Sequence, residues 1–406
     1  MLEEVKSEPI VGEFAMETDH QCSRSHIVSL LRGAFACPTI ATLAESGIVD
    51  RMLEAPFGLE DFPTVQNAGV LLAMFSYLQA LGLLVKVTEA KFELTKQGRT
   101  TMRRSGAFLL LASYREYFEN LSGLLAGKKL NLSVNRRQNV EGTGSLHSRK
   151  FFPVVWEMFQ RVSPCCLIDI GCGDGQFLEH ACREWPELRI AAVDLSPVAV
   201  EATVARLRRL GRSEVVGIVQ NGAQIDQWIR QVPEVIKSSK SLVLSMWFVA
   251  HEFSQGDPRA IGRFLVQLNL MLPNAEIVLG EITSLPPSLL AEHHATSIMP
   301  EMLLFHALSR QGVLSWENWR EILEEIPYTI AAEHHFDVLR TTGGQSVPSS
   351  FVWHLKPRFS EKAVASSGFG RAQNEDLLNL GEGTTYPEYD RSQTQSGCVR
   401  TVGGET

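Results

Sequence analysis

Residues 166–178, CLIDIGCGDGQFL, constrain the fold more than any other stretch of this chain. Positions 167–170 are apolar apart from Asp169, as a strand buried on both faces requires. Gly171, Gly173 and Gly175 then alternate with Cys172 and Asp174, and an amphipathic run follows from Gln176 to Trp185. Glycines at a strand-to-helix turn supply positive φ and let a ligand approach with no Cβ in the way. A GxGxG string alone is a weak signal, and a glycine turn without a ligand is its alternative. Here a strand precedes it, a helix follows, and an acidic residue stands at a suitable distance. Together these read as a site for a nucleoside-bearing cofactor.

The acidic residue is Asp194, at the end of a second apolar strand, RIAAVDLS. A carboxylate there accepts both hydroxyls of an adenosine ribose, about 20 residues beyond the glycines. The nicotinamide pattern GxGxxG puts its third glycine at position 176, where this chain has Gln176. The tight GCGDG form, with Asp169 inside the preceding strand, resembles motif I of class I S-adenosylmethionine-dependent methyltransferases. That resemblance implies that Asp169 holds the cofactor's ammonium, directly or through water, with Gly171 and Gly173 near its methionine end.

The chain has 406 residues, more than one core usually covers, so two domains plus extras are expected. The net charge of −8 leaves no global basic field to attract nucleic acid or anionic membrane. No apolar run reads as a signal peptide or as long enough to span a bilayer. Seven cysteines, mostly inside apolar segments, suggest reduced thiols in a cytoplasm.

Residues 1–21 read as a flexible arm. Residues 22–53 have helical periodicity broken at Pro38 and Gly47, and a second helix ends at Gly82. LLVKVTEAKFELTKQG follows as two short strands closed by Gly98. Helix, helix and β-wing form a winged-helix-like unit over residues 22–106. A DNA-binding regulator is the rival reading, but residues 64–83 contain no Lys or Arg to contact phosphates or guanine. The segment is apolar nearly all round, which suits burial against another subunit. The arrangement resembles the dimerisation domain of small-molecule O-methyltransferases, so a homodimer is expected.

Residues 107–160 read as a helical linker lining the cleft, with the polar stretch VNRRQNVEGTGSLHSRKFF taken as cleft lining in preference to a solvated loop. Residues 161–358 alternate α and β, which predicts an α/β fold: a doubly wound, Rossmann-like parallel sheet, closed by two antiparallel strands. Residues 359–406, rich in Ser, Gly and Gln, read as a disordered tail.

Ligands of open α/β sheets bind at the carboxyl ends of the strands. Four such ends are visible: the glycine loop, Asp194–Leu195, Gln220–Asn221 and the segment from Met246 to Phe253. Leu195, Asn221 and Met246 are therefore cofactor candidates. Asn221 could equally be a turn-forming residue before Gly222. His251 and Glu252 are the sharpest catalytic candidates, because HEFSQGDPRAI resembles the motif that carries the general-base histidine of plant-type O-methyltransferases.

The segments GTGSLH, HEFS and IMPEMLLFHALSRQGVLSWENW resemble the 2-oxo acid C-methyltransferase branch. That resemblance implies a transition metal, iron or zinc, held by His251 and His306, with His293 and His294 as competing ligands. It also implies Arg136, ahead of Arg137, on the carboxylate of a small-molecule substrate. A chelated 2-oxo acid loses a C3 proton more easily, and its enolate carbon attacks the sulfonium methyl. The alternative is an O-methyltransferase in which His251 takes a hydroxyl proton and Glu252 orients the ring. A non-enzymatic cofactor-binding regulator is a distant third.

Overall fold

The computed structural model describes residues 12–254, 257–293, 297–341 and 343–358. The expected disordered tail, the start of the arm and His294 lie outside the described residues. Residues 12–21, read as arm, begin a long helix, α1 (Gly12–Glu45). The helix runs through Pro38 without a break, contrary to expectation. Proline removes one intrahelical hydrogen bond, but burial of Ile40, Ala41 and Leu43 just beyond it holds the last turns in place. Ser25–Glu45 is long and apolar enough to cross a membrane by length and composition, with a mean hydropathy of 1.6. The expectation that no run reaches that length is therefore corrected.

Gly47 (φ 70°) breaks the helical run as expected, a short helix over Ile48–Glu54 completes it, and α2 (Ala68–Ala80) follows, capped by the Asn67 side chain accepting from Val70 N–H. β1 (Leu84–Lys86) and β2 (Phe92–Leu94) form the antiparallel ribbon, with Leu84 opposite Leu94. Met52, Phe57, Phe75 and Leu78 close this region's core at full burial.

The helical linker read from residue 107 onward begins with α3 (Gly106–Ser113) and then breaks into single turns. The polar stretch after it is not a solvated loop but a helix, α4 (Arg136–Lys150), capped by Asn135 accepting from Gln138 N–H, and it lines a cavity through Asn139, Thr143 and His147. Its glycines explain both the helix and its place. A Cβ on Gly142 would lie 2.6 Å from Leu110 N and 2.7 Å from Gly106 O, so only glycine lets α4 cross α3 this closely. Tertiary contact has overridden weak helix propensity.

The sheet contains β3 (Cys166–Ile170), β4 (Arg189–Asp194), β5 (Val216–Val219), β6 (Leu242–Trp247), β7 (Glu276–Ile282), β8 (Tyr328–Arg340) and β9 (Ser346–Pro357). Their order is β5-β4-β3-β6-β7-β9-β8, parallel from β5 to β7, with β9 antiparallel to β7 and β8 antiparallel to β9. Side chains alternate between two cores. Ile168, Ile170, Leu244 and Met246 enter one; Leu167, Val243 and Trp247 enter the other. Helices cover both faces, as continuous apolar strands demand. α5 (Phe152–Val162), α6 (Gln176–Glu184) and α7 (Pro197–Arg209) lie on the second core. The first core is covered by the helices Pro258–Met271 and Trp316–Glu325.

Ile170 pairs with both Val193 and Met246, so β3, β4 and β6 end level with one another. Strand order reverses direction at β3, between β4 and β6. The crevice at that switch point is where open α/β sheets hold their ligands.

Candidate active site

The glycine loop leaves β3 with φ of 76°, 56° and 79° at Gly171, Gly173 and Gly175. All three lie in the left-handed region that side chains rarely adopt. Asp194, at the end of β4, grips the loop: its Oδ2 accepts from Gly173 N–H (3.1 Å) and its Oδ1 from Ser196 N–H (2.8 Å). Burial raises the Asp194 carboxyl above its ordinary range; the two N–H donors and the nearby Arg136 charge offset part of that.

Two braces that the sequence did not disclose hold the loop from α7. Thr203 Oγ1 donates to Gly173 O (2.8 Å), and a Cβ on Gly175 would strike Thr203. Arg206 binds Asp174 Oδ2 (2.8 Å) and Glu179 Oε2 (2.6 Å). Their position one turn apart on α7 was the available signal.

Asp169 is buried beneath the loop and accepts from Ser245 Oγ at 2.5 Å. Burial pushes its carboxyl up to about 7, with the Ser245 hydroxyl holding it back. Leu195, half exposed, stands beside Asp194 at the mouth. Asn221 Oδ1 accepts from Ala223 N–H (3.0 Å), closing its own turn, which is the turn-forming reading of that residue. Met246 is corrected: it is fully buried in the core below the crevice and presents nothing to it. The reason is the period of two along β6, which turns Met246 inward.

Past β6 the chain bends at Phe248, whose φ of 52° is rare for a bulky residue, and whose N–H donates to Gly280 O (2.9 Å). The bend delivers a short helix, α8 (Ala250–Ser254), where a loop was expected. α8 carries His251 and Glu252 to a cavity of about 520 Å³ lined also by α3, α4, the ends of β8 and β9, and a further helix, α9 (Met299–Leu308).

His251 is buried and doubly anchored by Glu281 on β7. Its backbone N–H donates to Oε2 (3.1 Å) and its Nδ1 lies 3.0 Å from Oε1. Burial alone would lower the His251 imidazole, but the charge and hydrogen bond of Glu281 outweigh it and raise it. Sequence reading missed Glu281, although an acid inside the apolar strand EIVLGEI was a usable signal. His306, from α9, meets His251 edge to face with ring centroids 4.7 Å apart. Its Nδ1 donates to Met302 O (2.6 Å), and burial followed by the neighbouring His251 lowers it to about 3. Each ring thus spends Nδ1 on the protein and keeps Nε2.

Glu252 accepts from Arg136 Nη1 (3.3 Å) and from Gln311 Nε2 (3.1 Å), and Gln311 Oε1 accepts from Tyr114 OH (3.1 Å). Arg137 instead pairs with Glu141 in solvent. His293 stands half buried at the end of a separate helix, Pro287–His293. Among the described residues, no group of three or more His, Cys, Asp or Glu side chains is placed to hold a metal ion. Any metal at the His251–His306 pair would need the rest of its donors from the acceptor. The donor chemistry fits that arrangement, since imidazole Nε2 atoms suit zinc or iron, and each imidazole has its orienting partner.

No family model matches the chain. It is 24% identical over 311 residues to the 2-ketoarginine methyltransferase of Streptomyces arginensis, covering 73% of this chain and 86% of that protein. It is 26% identical over 168 residues to the malonyl-acyl-carrier-protein O-methyltransferase of Paenibacillus sp. strain JDR-2. That match covers 40% of this chain and about half, 55%, of the relative. Among solved structures, the mitomycin 7-O-methyltransferase MmcR aligns with a TM-score of 0.55 at 14% identity, over 84% of this chain and 99% of that one. An O-methyltransferase family protein from Burkholderia thailandensis aligns with a TM-score of 0.52 at 13% identity, over 83% and 98%. A sheet of this order, holding a glycine loop and its acidic partner at the switch point, fits these proteins along most of its length: the chain has the class I fold of S-adenosylmethionine-dependent methyltransferases and resembles them in sequence.

Proposed function

We propose that this enzyme methylates the β-carbon of a small 2-oxo acid. The observation that carries the reading is the buried pair His251 and His306, each with Nδ1 committed and Nε2 remaining, on one wall of the acceptor cavity. The 24% identity to a 2-ketoarginine methyltransferase supports it.

S-adenosylmethionine is the methyl donor; Asp194 would take its ribose, and Asp169 would sit under its methionine end. His251 and His306 would hold the metal, which when bound supplies Lewis acidity to a chelating acceptor. Arg136, ion-paired with the cavity-lining Glu252, would take the acceptor's carboxylate, a contact for which guanidinium geometry is suited. Glu252 holds Arg136 in that position and is itself held by Gln311. Proton removal from C3 falls to a base at the cavity wall, and Glu252 is the carboxylate in reach of that end.

A second reading has its own observation. Glu281 anchors His251 as an acid anchors a general-base imidazole, which suits proton removal from a phenol or other hydroxyl and methylation of oxygen. Incubation with methyl-labelled cofactor and a panel of oxo acids and phenols, followed by locating the label, decides between carbon and oxygen. Elemental analysis of wild type and His306→Ala runs beside it. Full turnover in metal-free protein removes the chelation reading.

We also infer a homodimer. Ile27, Leu30, Leu31 and Phe35 on α1, with Val70 and Leu72 on α2, are exposed, and large exposed apolar surface on a folded chain marks an interface. Sedimentation at micromolar concentration should give twice the chain mass; a monomer refutes the inference.

A further inference from the structure

The cavity is lined by two carboxylates, and each already has a cation. Glu252 faces Arg136, and Asp337 on β8 is paired with Lys150 at the end of α4. The ammonium of Lys150 also lies 5.3 Å from the centre of the Phe151 ring and 5.4 Å from that of Phe336. One carboxylate and two ring faces thus hold it. The wall beside this pair is aromatic. His147 stacks on Phe248 with centroids 3.9 Å apart, and Phe151 meets Phe248 edge to face at 4.8 Å.

We propose that Lys150 and Asp337 are a specificity-determining pair that restricts the acceptor to an uncharged, ring-bearing side chain. The inference rests on the cavity being the acceptor site, and holds for a carbon or an oxygen acceptor. A cationic tip reaching this end has to displace Lys150 from Asp337, and the displaced ammonium loses its ring faces too. An anionic tip draws Lys150 away and leaves Asp337 facing like charge. An uncharged ring meets the wall of His147, Phe151 and Phe248 and leaves the pair intact. The side chains of Lys150 and Asp337 are 37% and 65% exposed, so water screens the pair and the selection is graded, not absolute.

The test is titration of three oxo acids into protein preloaded with S-adenosylhomocysteine: phenylpyruvate, 2-oxo-5-guanidinopentanoate and 2-oxoglutarate. Wild type should bind the aromatic acid about tenfold tighter than either charged one. Lys150→Met keeps an apolar stem over the rings and frees Asp337. Its guanidino-to-aromatic affinity ratio should rise about fivefold, the scale of a partly solvated ion pair. Asp337→Asn suits the φ of 43° at that position, which asparagine tolerates. It should raise the 2-oxoglutarate-to-aromatic ratio by a similar factor. Wild type binding a charged acid as tightly as phenylpyruvate, or an unchanged ratio in either variant, overturns the proposal. If no oxo acid binds, the carbon-acceptor reading fails on its own. The same comparison is then made with 4-ethylphenol, tyramine and 4-hydroxyphenylpropionate, and a failure of all three to bind overturns the proposal as well.

Discussion

The two halves of the crevice are built in opposite ways. The cofactor side is made within one stretch of chain: strand, glycine loop, helix, and an acid on the neighbouring strand. The acceptor side is assembled from five distant places, with Tyr114, Thr143, His251, His306 and Asp337 converging on one cavity. Local construction gives a site whose parts stand or fall with short-range geometry. Distributed construction gives one that depends on how whole helices pack. The two sides should therefore fail differently when disturbed.

The largest expected effect is on the acceptor side. His251→Ala should lower kcat by about 10²-fold or more, through loss of a metal ligand if the acceptor is carbon or of the general base if it is oxygen, while S-adenosylhomocysteine affinity stays within about twofold of wild type. A parallel loss of cofactor affinity would break the separation between the halves. On the cofactor side, Asp194→Ala removes the acceptor for Gly173 and Ser196 N–H together with the ribose contact. Affinity for S-adenosylhomocysteine should fall by about 10- to 100-fold, corresponding to roughly 1.5–3 kcal/mol for hydrogen bonds to a charged group. Equal affinity by isothermal titration would remove Asp194 from its assigned place.

Gly142→Leu sharpens the contrast, because it injures packing without touching chemistry. A side chain there collides with the backbone of Leu110 and Gly106, and overpacking of this kind costs about 1–3 kcal/mol. Melting should shift down by several degrees, and the acceptor KM should rise more than the cofactor KM. The reverse order would mean that α4 serves the cofactor first.

The last effect concerns pH and leaves the protein near pH 4 unchanged. Asp169 has its carboxyl raised by burial to about 7, against an ordinary value of about 3.9. A raised acid favours the folded state most at pH below its unfolded value, and that contribution is lost as pH climbs through the folded value. Between about pH 4 and 7 this group therefore works against stability progressively as pH rises. Asp169→Asn should melt close to wild type near pH 4 and above it at pH 8, in cofactor-free protein. A melting difference that stays flat across that range would show that the buried carboxyl is not the titrating group.

What could be read from the sequence follows the same division. CLIDIGCGDGQFL and RIAAVDLS announced β3, β4, the loop and Asp194 because each signal is contained in a few adjacent residues. The order of α and β segments announced the doubly wound sheet for the same reason. α4 was not legible as a helix: it is polar, holds two glycines, and owes its structure to the crossing with α3. Met246 looked like a site residue by position along the chain, and only the alternation of β6 shows that it faces the core. Glu281, Gln311 and Lys150 carried no motif, because what each does is fixed by a partner 30, 59 or 187 positions away.

One consequence follows from where α4 lies. Its first residue, Arg136, reaches Glu252; Val140 touches the space over Gly173; Gly144 rests against Gln176; and Lys150 closes the far end. A single helix is thus the shared wall of two compartments, so any coupling between their occupancies runs through it. By thermodynamic linkage the factor must be equal in both directions. The affinity gained for an acceptor when S-adenosylhomocysteine is bound equals the affinity gained for S-adenosylhomocysteine when that acceptor is bound.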